Sequence, residues 1–180
     1  NDKSHKAMKE VDFLIVGQGI AGTVFCHTAM QAGYSCHVVD VHQETQASKV
    51  AGGLINPITG RFLKKSWMMD ELLPVLQQTY RSMDVMLQIN SFKEMSILRL
   101  LSGAEEINNW EIKRTEAGYS SYMGELTTIH DKRVKNHPAV GKILNGGWLD
   151  TRCLLNSYRA YLKERDSLRE EMFDWCLLSK

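Results

Sequence analysis

The chain of 180 residues predicts an α/β fold with a parallel sheet, begun by a βαβ unit near its start. Three observations carry that expectation. Val11-Asp12-Phe13-Leu14-Ile15-Val16 is a short run rich in β-branched and aromatic residues, with the length of a buried strand. Ala21, Val24, Phe25, Thr28, Ala29 and Ala32 recur at helical spacing and predict a helix packed on that face, stopped by Gly33. Cys36-His37-Val38-Val39 reads as a second buried strand that ends on Asp40.

The first strand and the helix are joined by Gly17-Gln18-Gly19-Ile20-Ala21-Gly22, the pattern G-x-G-x-x-G. Gly17 lets the chain leave the strand through a tight turn, Gly19 lets a pyrophosphate approach the backbone, and Gly22 lets the helix pack close to the strands. The first helical turn, with Ile20 and Ala21, offers N–H groups and partial positive charge to phosphates. Asp40 follows about 20 residues on, where an acid accepts hydrogen bonds from ribose hydroxyls. Strand before, helix after and acid at the second strand's end read together as a dinucleotide site.

Residues 1–10 are polar and read as a mobile lead-in, without the apolar core of a secretory signal. After the βαβ unit, Val41 to Ala47 is polar and turn-like. It delivers the chain to Ser48-Lys49-Val50-Ala51-Gly52-Gly53-Leu54-Ile55-Asn56-Pro57. Paired glycines let a backbone approach a flat ligand or its phosphates, and Ser48 adds a hydroxyl. On the residues alone, a flexible connecting loop explains this stretch equally well.

With Val11 to Asp40 followed by Ser48-x-x-x-Gly52-Gly53-Leu54-Ile55-Asn56-Pro57, the chain resembles the N-terminal part of FAD-dependent oxidoreductases of the D-amino-acid oxidase and glycine oxidase type. The resemblance implies a Rossmann-like FAD/NAD(P)-binding domain with a parallel sheet, interrupted by part of an α+β substrate-binding domain. It implies FAD as cofactor, with Gly17, Gly19, Ile20, Ala21 and Gly22 at the pyrophosphate and Asp40 at the adenosine ribose. Ser48, Gly52, Gly53 and Leu54 would run along the flavin side. The implied division is 11–84 with 150–180 for the FAD-binding domain and 85–149 for the substrate-binding part. Such flavoenzymes are considerably longer, so an N-terminal portion of an enzyme is expected.

Further along, Arg61, Lys64, Lys65, Ser66 and Trp67 form a polar and aromatic segment. A helix follows with Asp70 as N-cap, Pro74 in its first turn and Leu73, Leu76, Tyr80, Met83 and Leu87 as its buried stripe. Met95 to Leu101 reads as a strand, with Ile97 and Arg99 on one face and Leu98 and Leu100 on the other. Ser102 with Glu105 reads as a capping box opening a helix that carries Ile107 and Trp110 inward. Residues 115–145, interrupted by glycines and Pro138, read as irregular strands and loops. Asp150 is placed to cap a helix through Leu154, Leu155, Tyr158, Leu162 and Arg165, and Phe173 to Leu178 predicts a last strand.

Composition narrows the function. A hydrophobic fraction of 43% and a charged fraction of 24% are those of a soluble globular chain, and a net charge of +1 gives no reason to expect nucleic acid. The basic groups at Lys64-Lys65 and Lys132-Arg133-Val134-Lys135 read as solvated loop charge. No apolar run approaches the roughly 18 residues of a membrane span. Cys26, Cys36, Cys153 and Cys176 are widely spaced, which argues against a metal site and for a reducing, cytoplasmic compartment.

The implied reaction is oxidation of a small amine or amino acid at its CH–NH bond by hydride transfer to flavin, for which no catalytic residue is assigned. Asn56, Arg61, Lys64 and Lys65 could reach the substrate side, with Arg61 pairing a carboxylate. His42 and His130 read as turn and loop histidines. Two alternatives use the same residues: an NAD(P)-dependent dehydrogenase, and a non-catalytic nucleotide-binding fragment. Nothing indicates the oligomeric state.

Overall fold

A computed structural model describes residues 10–41, 43, 45–129 and 138–178. The lead-in up to residue 9, His42, His130 and the basic group at 132–135 lie outside the described residues. The chain forms two compact units, one of residues 1–51, 83–89 and 151–180, the other of residues 52–82 and 90–150.

The first unit contains the expected βαβ core: β1 (Phe13–Val16), α1 (Ile20–Gln31) and β2 (Cys36–Val39). The strands pair in parallel, Phe13 opposite Cys36 through Val16 opposite Val39. β1 starts two residues later than its apolar run because Asp12 is used to close the strand entrance. Its carboxylate accepts the Ser35 N–H at 2.8 Å and the Ser35 hydroxyl at 2.6 Å. These two donors hold the Asp12 carboxyl below its ordinary value of 3.8, the hydroxyl having the larger effect. Because the folded value is the lower one, this stabilisation is complete above the unfolded value and is lost as pH falls through the folded one. Asp12→Asn is therefore expected to lower the melting temperature at neutral pH. Circular-dichroism melts at several pH values check this: the gap to the parent chain should close below pH 3.8.

The sheet has the order β1-β2-β9, with β9 (Leu168–Arg169) parallel to β2. This corrects the expected last strand at Phe173–Leu178, since Trp175–Leu178 is a 3-10 turn. The Asp174 carboxylate accepts the Cys176 N–H at 2.9 Å and so favours the turn over an extended chain. The buried face of α1 also differs from the apolar pattern. Thr23, Cys26, His27 and Ala29 are buried, whereas Phe25 is 48% exposed. Thr23 takes a hydrogen bond from the Gln18 amide, and His27 lies edge-on to the ring of Tyr158. Tyr158 belongs to α5 (Thr151–Glu164), which buries Leu154, Leu155, Tyr158 and Leu162 as expected, and Arg159 with them. Arg165 falls in the turn after α5. Cys26 and Cys36 are buried free thiols, and burial pushes Cys26 up to about 12, leaving it un-ionised at neutral pH. A four-residue helix, α2 (Ala47–Val50), stands where a turn and loop were expected.

α3 (Met69–Leu87) has the predicted stripe, with Leu73 and Met83 buried. It starts one residue before Asp70, so Asp70 is within the first turn rather than its cap. The Asp70 carboxylate instead accepts the Tyr122 hydroxyl at 2.7 Å and pairs with Lys65. Pro74 accordingly lies further into the helix than expected, where it removes the bond to the Asp70 carbonyl.

In the second unit β8 (Ala139–Leu149) is the central antiparallel strand. It pairs β6 (Phe92–Leu101) along one edge, and β7 (Met123–Thr127) and β3 (Leu54–Ile55) along the other. β4 (Ile58–Thr59) and β5 (Lys64–Lys65) form a separate hairpin, whose second strand lies in the polar and aromatic segment at Arg61–Trp67. β8 was obscured by its glycines, which mark close approaches rather than breaks: a Cβ at Gly141 would lie 2.6 Å from the ring of Trp110. Trp110 comes from α4 (Ala104–Arg114), is fully buried and donates its indole N–H to the Gly124 carbonyl at 3.0 Å. The capping acid of α4 is Glu106, not Glu105. With Gly103 as N-cap, Glu106 is the third helical residue and takes the Ser102 N–H and hydroxyl at 2.7 and 2.8 Å. Ile58, Leu73, Leu101, Tyr122, Met123 and Ile143 complete the core around Trp110.

Candidate nucleotide-binding site

The glycine turn lies at the carboxyl ends of β1 and β2, where open α/β sheets bind ligands. Gly17 has φ +97°, and a Cβ there would meet nothing within 4 Å, so its glycine serves the backbone angle. Its N–H donates to the Val39 carbonyl at 2.9 Å, tying the two strand ends together. Gly22 serves space: a Cβ there would lie 2.1 Å from the Gly17 carbonyl oxygen and 3.3 Å from Ile15. The first bond of the helical ladder is Thr23 N–H to the Gly19 carbonyl, at 2.9 Å. The N–H groups of Ile20, Ala21 and Gly22 precede it and form the positive end of the helix.

Ser48, expected along the flavin side, has its hydroxyl at this helix end. It accepts the Ile20 N–H at 3.2 Å, and a Cβ on Gly19 would stand 3.1 Å from its oxygen. The α2 segment thus brings a hydroxyl oxygen to the place where a pyrophosphate oxygen is expected.

Asp40 is 8% exposed. One carboxylate oxygen accepts the Gln18 N–H at 3.0 Å, the other a guanidinium N–H of Arg159 at 2.7 Å, and the Gln46 amide reaches both at 3.3 and 3.4 Å. Arg159 also donates to the Gln18 side-chain oxygen at 3.0 Å and to Glu170 at 2.8 Å. The Glu170 carboxyl is held below the usual range by Lys163 first and Arg159 next. Arg159 is the residue that sequence reasoning missed. Its signal was a cation inside the apolar stripe Leu155, Tyr158, Leu162, where an unpaired charge would be too costly to bury. A cleft of about 210 Å³ opens beside Asp40, lined also by Val16, Gly17, Val39 and Val41 and by Glu171, Met172, Phe173 and Trp175.

The remaining predicted residues belong to the second unit. Gly53, at φ +66°, has no room for a side chain, since a Cβ would lie 1.9 Å from the Leu149 carbonyl oxygen. Gly52 has open space around it and accepts the Trp148 indole N–H at 3.0 Å. Leu54 is 56% exposed on β3. Asn56 accepts the Ile58 N–H with its side chain and the Ser66 hydroxyl with its backbone, a turn-holding role. Arg61 lines a larger cleft of about 530 Å³ whose carboxylates, Glu105, Glu106 and Glu116, would meet an anionic nucleotide with like charge. Among the described residues no group of acids, histidines and cysteines could hold a metal ion, and no helix is long and apolar enough to cross a membrane.

Residues 12–97 match the FAD binding domain family, which indicates FAD as the cofactor. The fold is that of flavoenzymes of the glycine oxidase type, as the resemblance implied. Glycine oxidase from Bacillus cereus ATCC 14579 superposes with a TM-score of 0.67 at 16% identity, over 92% of this chain and 48% of that one. Glycine oxidase from Geobacillus kaustophilus gives 0.67 at 16%, over 91% and 48%. L-amino acid deaminase from Proteus myxofaciens, in complex with anthranilate, gives 0.62 at 13%, over 91% and 38%. The chain therefore spans about half the length, or less, of these structures, and corresponds to their N-terminal portion.

Proposed function

We propose that the chain is the cofactor-anchoring portion of an FAD-dependent oxidoreductase that acts on the CH–NH bond of a small amine or amino acid. The observation that carries this reading is the close-packed glycine turn, with Gly22 against the Gly17 carbonyl, opening the N-terminus of α1 beside a buried acid at the end of β2. FAD, when bound, supplies a two-electron acceptor. In this reading the N–H groups of Ile20, Ala21 and Gly22 hold the pyrophosphate, Gly19 leaves it room, and Ser48 adds a hydroxyl. Asp40 takes the ribose hydroxyls, and Gly52, Gly53 and Leu54 run toward the flavin. The first unit is then the nucleotide domain and the second unit includes the start of the substrate domain. The amine class rests on the names of the neighbours, glycine oxidase and L-amino acid deaminase. The match to an FAD binding domain favours this reading over a pyridine-nucleotide dehydrogenase.

Titration of the purified chain with FAD, followed by flavin fluorescence, tests the anchor. Gly19→Val is expected to weaken binding by on the order of tenfold or more, the effect of losing one charge-assisted hydrogen bond, because the side chain enters the pyrophosphate's place. Lys142→Ala, an exposed change on β8, should leave binding as it is. Equal affinity in both variants contradicts the assignment, and binding of NADH in preference to FAD sinks it. Anaerobic bleaching of bound flavin by glycine or another small amine, in the longest available gene product, tests the reaction.

A further inference from the structure

We propose that Arg159 is the positioning residue of the ribose acceptor, its guanidinium setting the direction of the Asp40 carboxylate and so the strength with which the site takes the ribose hydroxyls of an adenine nucleotide. The inference rests on the nucleotide site proposed above and adds to it a residue from the far end of the chain. Arg159 is 4% exposed, and all its N–H groups have acceptors. Nη1 donates to Asp40 Oδ2 at 2.7 Å and to Gln18 Oε1 at 3.0 Å, Nη2 to Glu170 Oε1 at 2.8 Å and the Asp40 carbonyl at 3.4 Å, and Nε to Glu170 Oε1 at 3.0 Å.

This planar fork fixes two groups at once. It holds Asp40 Oδ2 from the α5 side while the Gln18 N–H holds Oδ1, so the carboxylate plane is set at both oxygens. It also holds the side chain of Gln18, whose amide donates on to the Leu155 carbonyl at 2.9 Å, so the glycine turn and its acid are registered on one guanidinium. The Gln46 amide, at 3.3 and 3.4 Å, makes the longest contacts to the carboxylate and is the one that a pair of ribose hydroxyls would replace. With every donor used, Arg159 has none to offer a 2′-phosphate, so the ligand class is an adenine nucleotide with a free ribose.

The test compares ADP with 2′,3′-dideoxy-ADP by calorimetric titration of the purified chain, alongside a thermal melt of each variant. The parent chain should prefer ADP by roughly tenfold, the worth of a hydrogen bond from a hydroxyl to a charged acceptor. In Arg159→Met that ratio should fall to about one. Arg159→Lys keeps the buried charge without the fork, so it supplies the test if the methionine variant does not fold, and its ratio should fall at least threefold. A ratio unchanged from the parent in either folded variant, even with both affinities reduced, assigns Arg159 to structure alone and overturns the inference. A parent chain that binds ADP and dideoxy-ADP equally removes Asp40 from the ribose, which overturns the underlying reading as well.

Discussion

Gly22→Ala is expected to abolish retention of FAD and to lower the melting temperature of the chain together. The added methyl carbon would lie 2.1 Å from the Gly17 carbonyl oxygen, 3.3 Å from the Gly17 carbonyl carbon and 3.3 Å from the Ile15 side chain. The nearest of these is backbone and cannot rotate away, so either α1 lifts from β1 or the turn opens. Overpacking a close-packed site costs about 1–3 kcal/mol, and a backbone contact this short belongs at the upper end or beyond. Gly19, in the same motif, behaves differently: its nearest neighbour is the Ser48 hydroxyl at 3.1 Å, so substitution there acts on the ligand more than on the fold. Thermal melts with and without FAD separate the two. A Gly22→Ala chain that melts with the parent and keeps its flavin would contradict the packing described for the turn.

The second large effect is expected at Gly53→Ala. This position combines a left-handed backbone, φ +66°, with a Cβ that would stand 1.9 Å from the Leu149 carbonyl oxygen and 3.0 Å from its carbon. The backbone angle alone costs an alanine about 1–2 kcal/mol, and relief of the clash would break the hydrogen bond from the Leu149 N–H to the Gly53 carbonyl, 2.9 Å long. A loss of about 3 kcal/mol follows, read as a shift in the urea midpoint. Gly52→Ala, in open space, should change stability by less than about 0.5 kcal/mol. The pair thereby separates the two duties of the Gly-Gly dipeptide. If Gly52→Ala weakens FAD binding at unchanged stability, Gly52 serves the ligand, whereas Gly53 is required by the sheet whatever is bound.

The features legible in the sequence were those decided locally. The bounds of β2, the stop at Gly33 and the stripe of α3 follow from composition and spacing, and the roles of Gly17 and Gly22 follow from a turn whose geometry the motif itself requires. Trp110 was readable as a core residue because a large ring at an inward helical position has little choice. Much of what escaped depends on partners distant in sequence, and the rest on small local shifts. The buried face of α1 includes Thr23 and His27 only because Gln18 and Tyr158 receive them. β9 is a two-residue strand, too short to leave a pattern, and exists because β2 offers it an edge. Glu106 replaced Glu105 as the capping acid through a one-residue shift of the helix start. Arg159 drew no reading from the sequence, because its acceptors Asp40, Gln18 and Glu170 lie on other segments of the chain.

The pairing of Val38 with Leu168 also bears on how the chain reaches its fold. β1 and β2 are neighbours in sequence and their crossover closes early, but β9 is separated from β2 by every residue of the second unit. Closing so long a loop is entropically demanding, and contacts of this separation slow folding. During synthesis the βαβ unit must therefore wait, with the outer edge of β2 unpaired and Asp40 lacking Arg159, until the chain has been made past α5. Asp40 is made before the second unit, and Arg159, its buried partner, only after it.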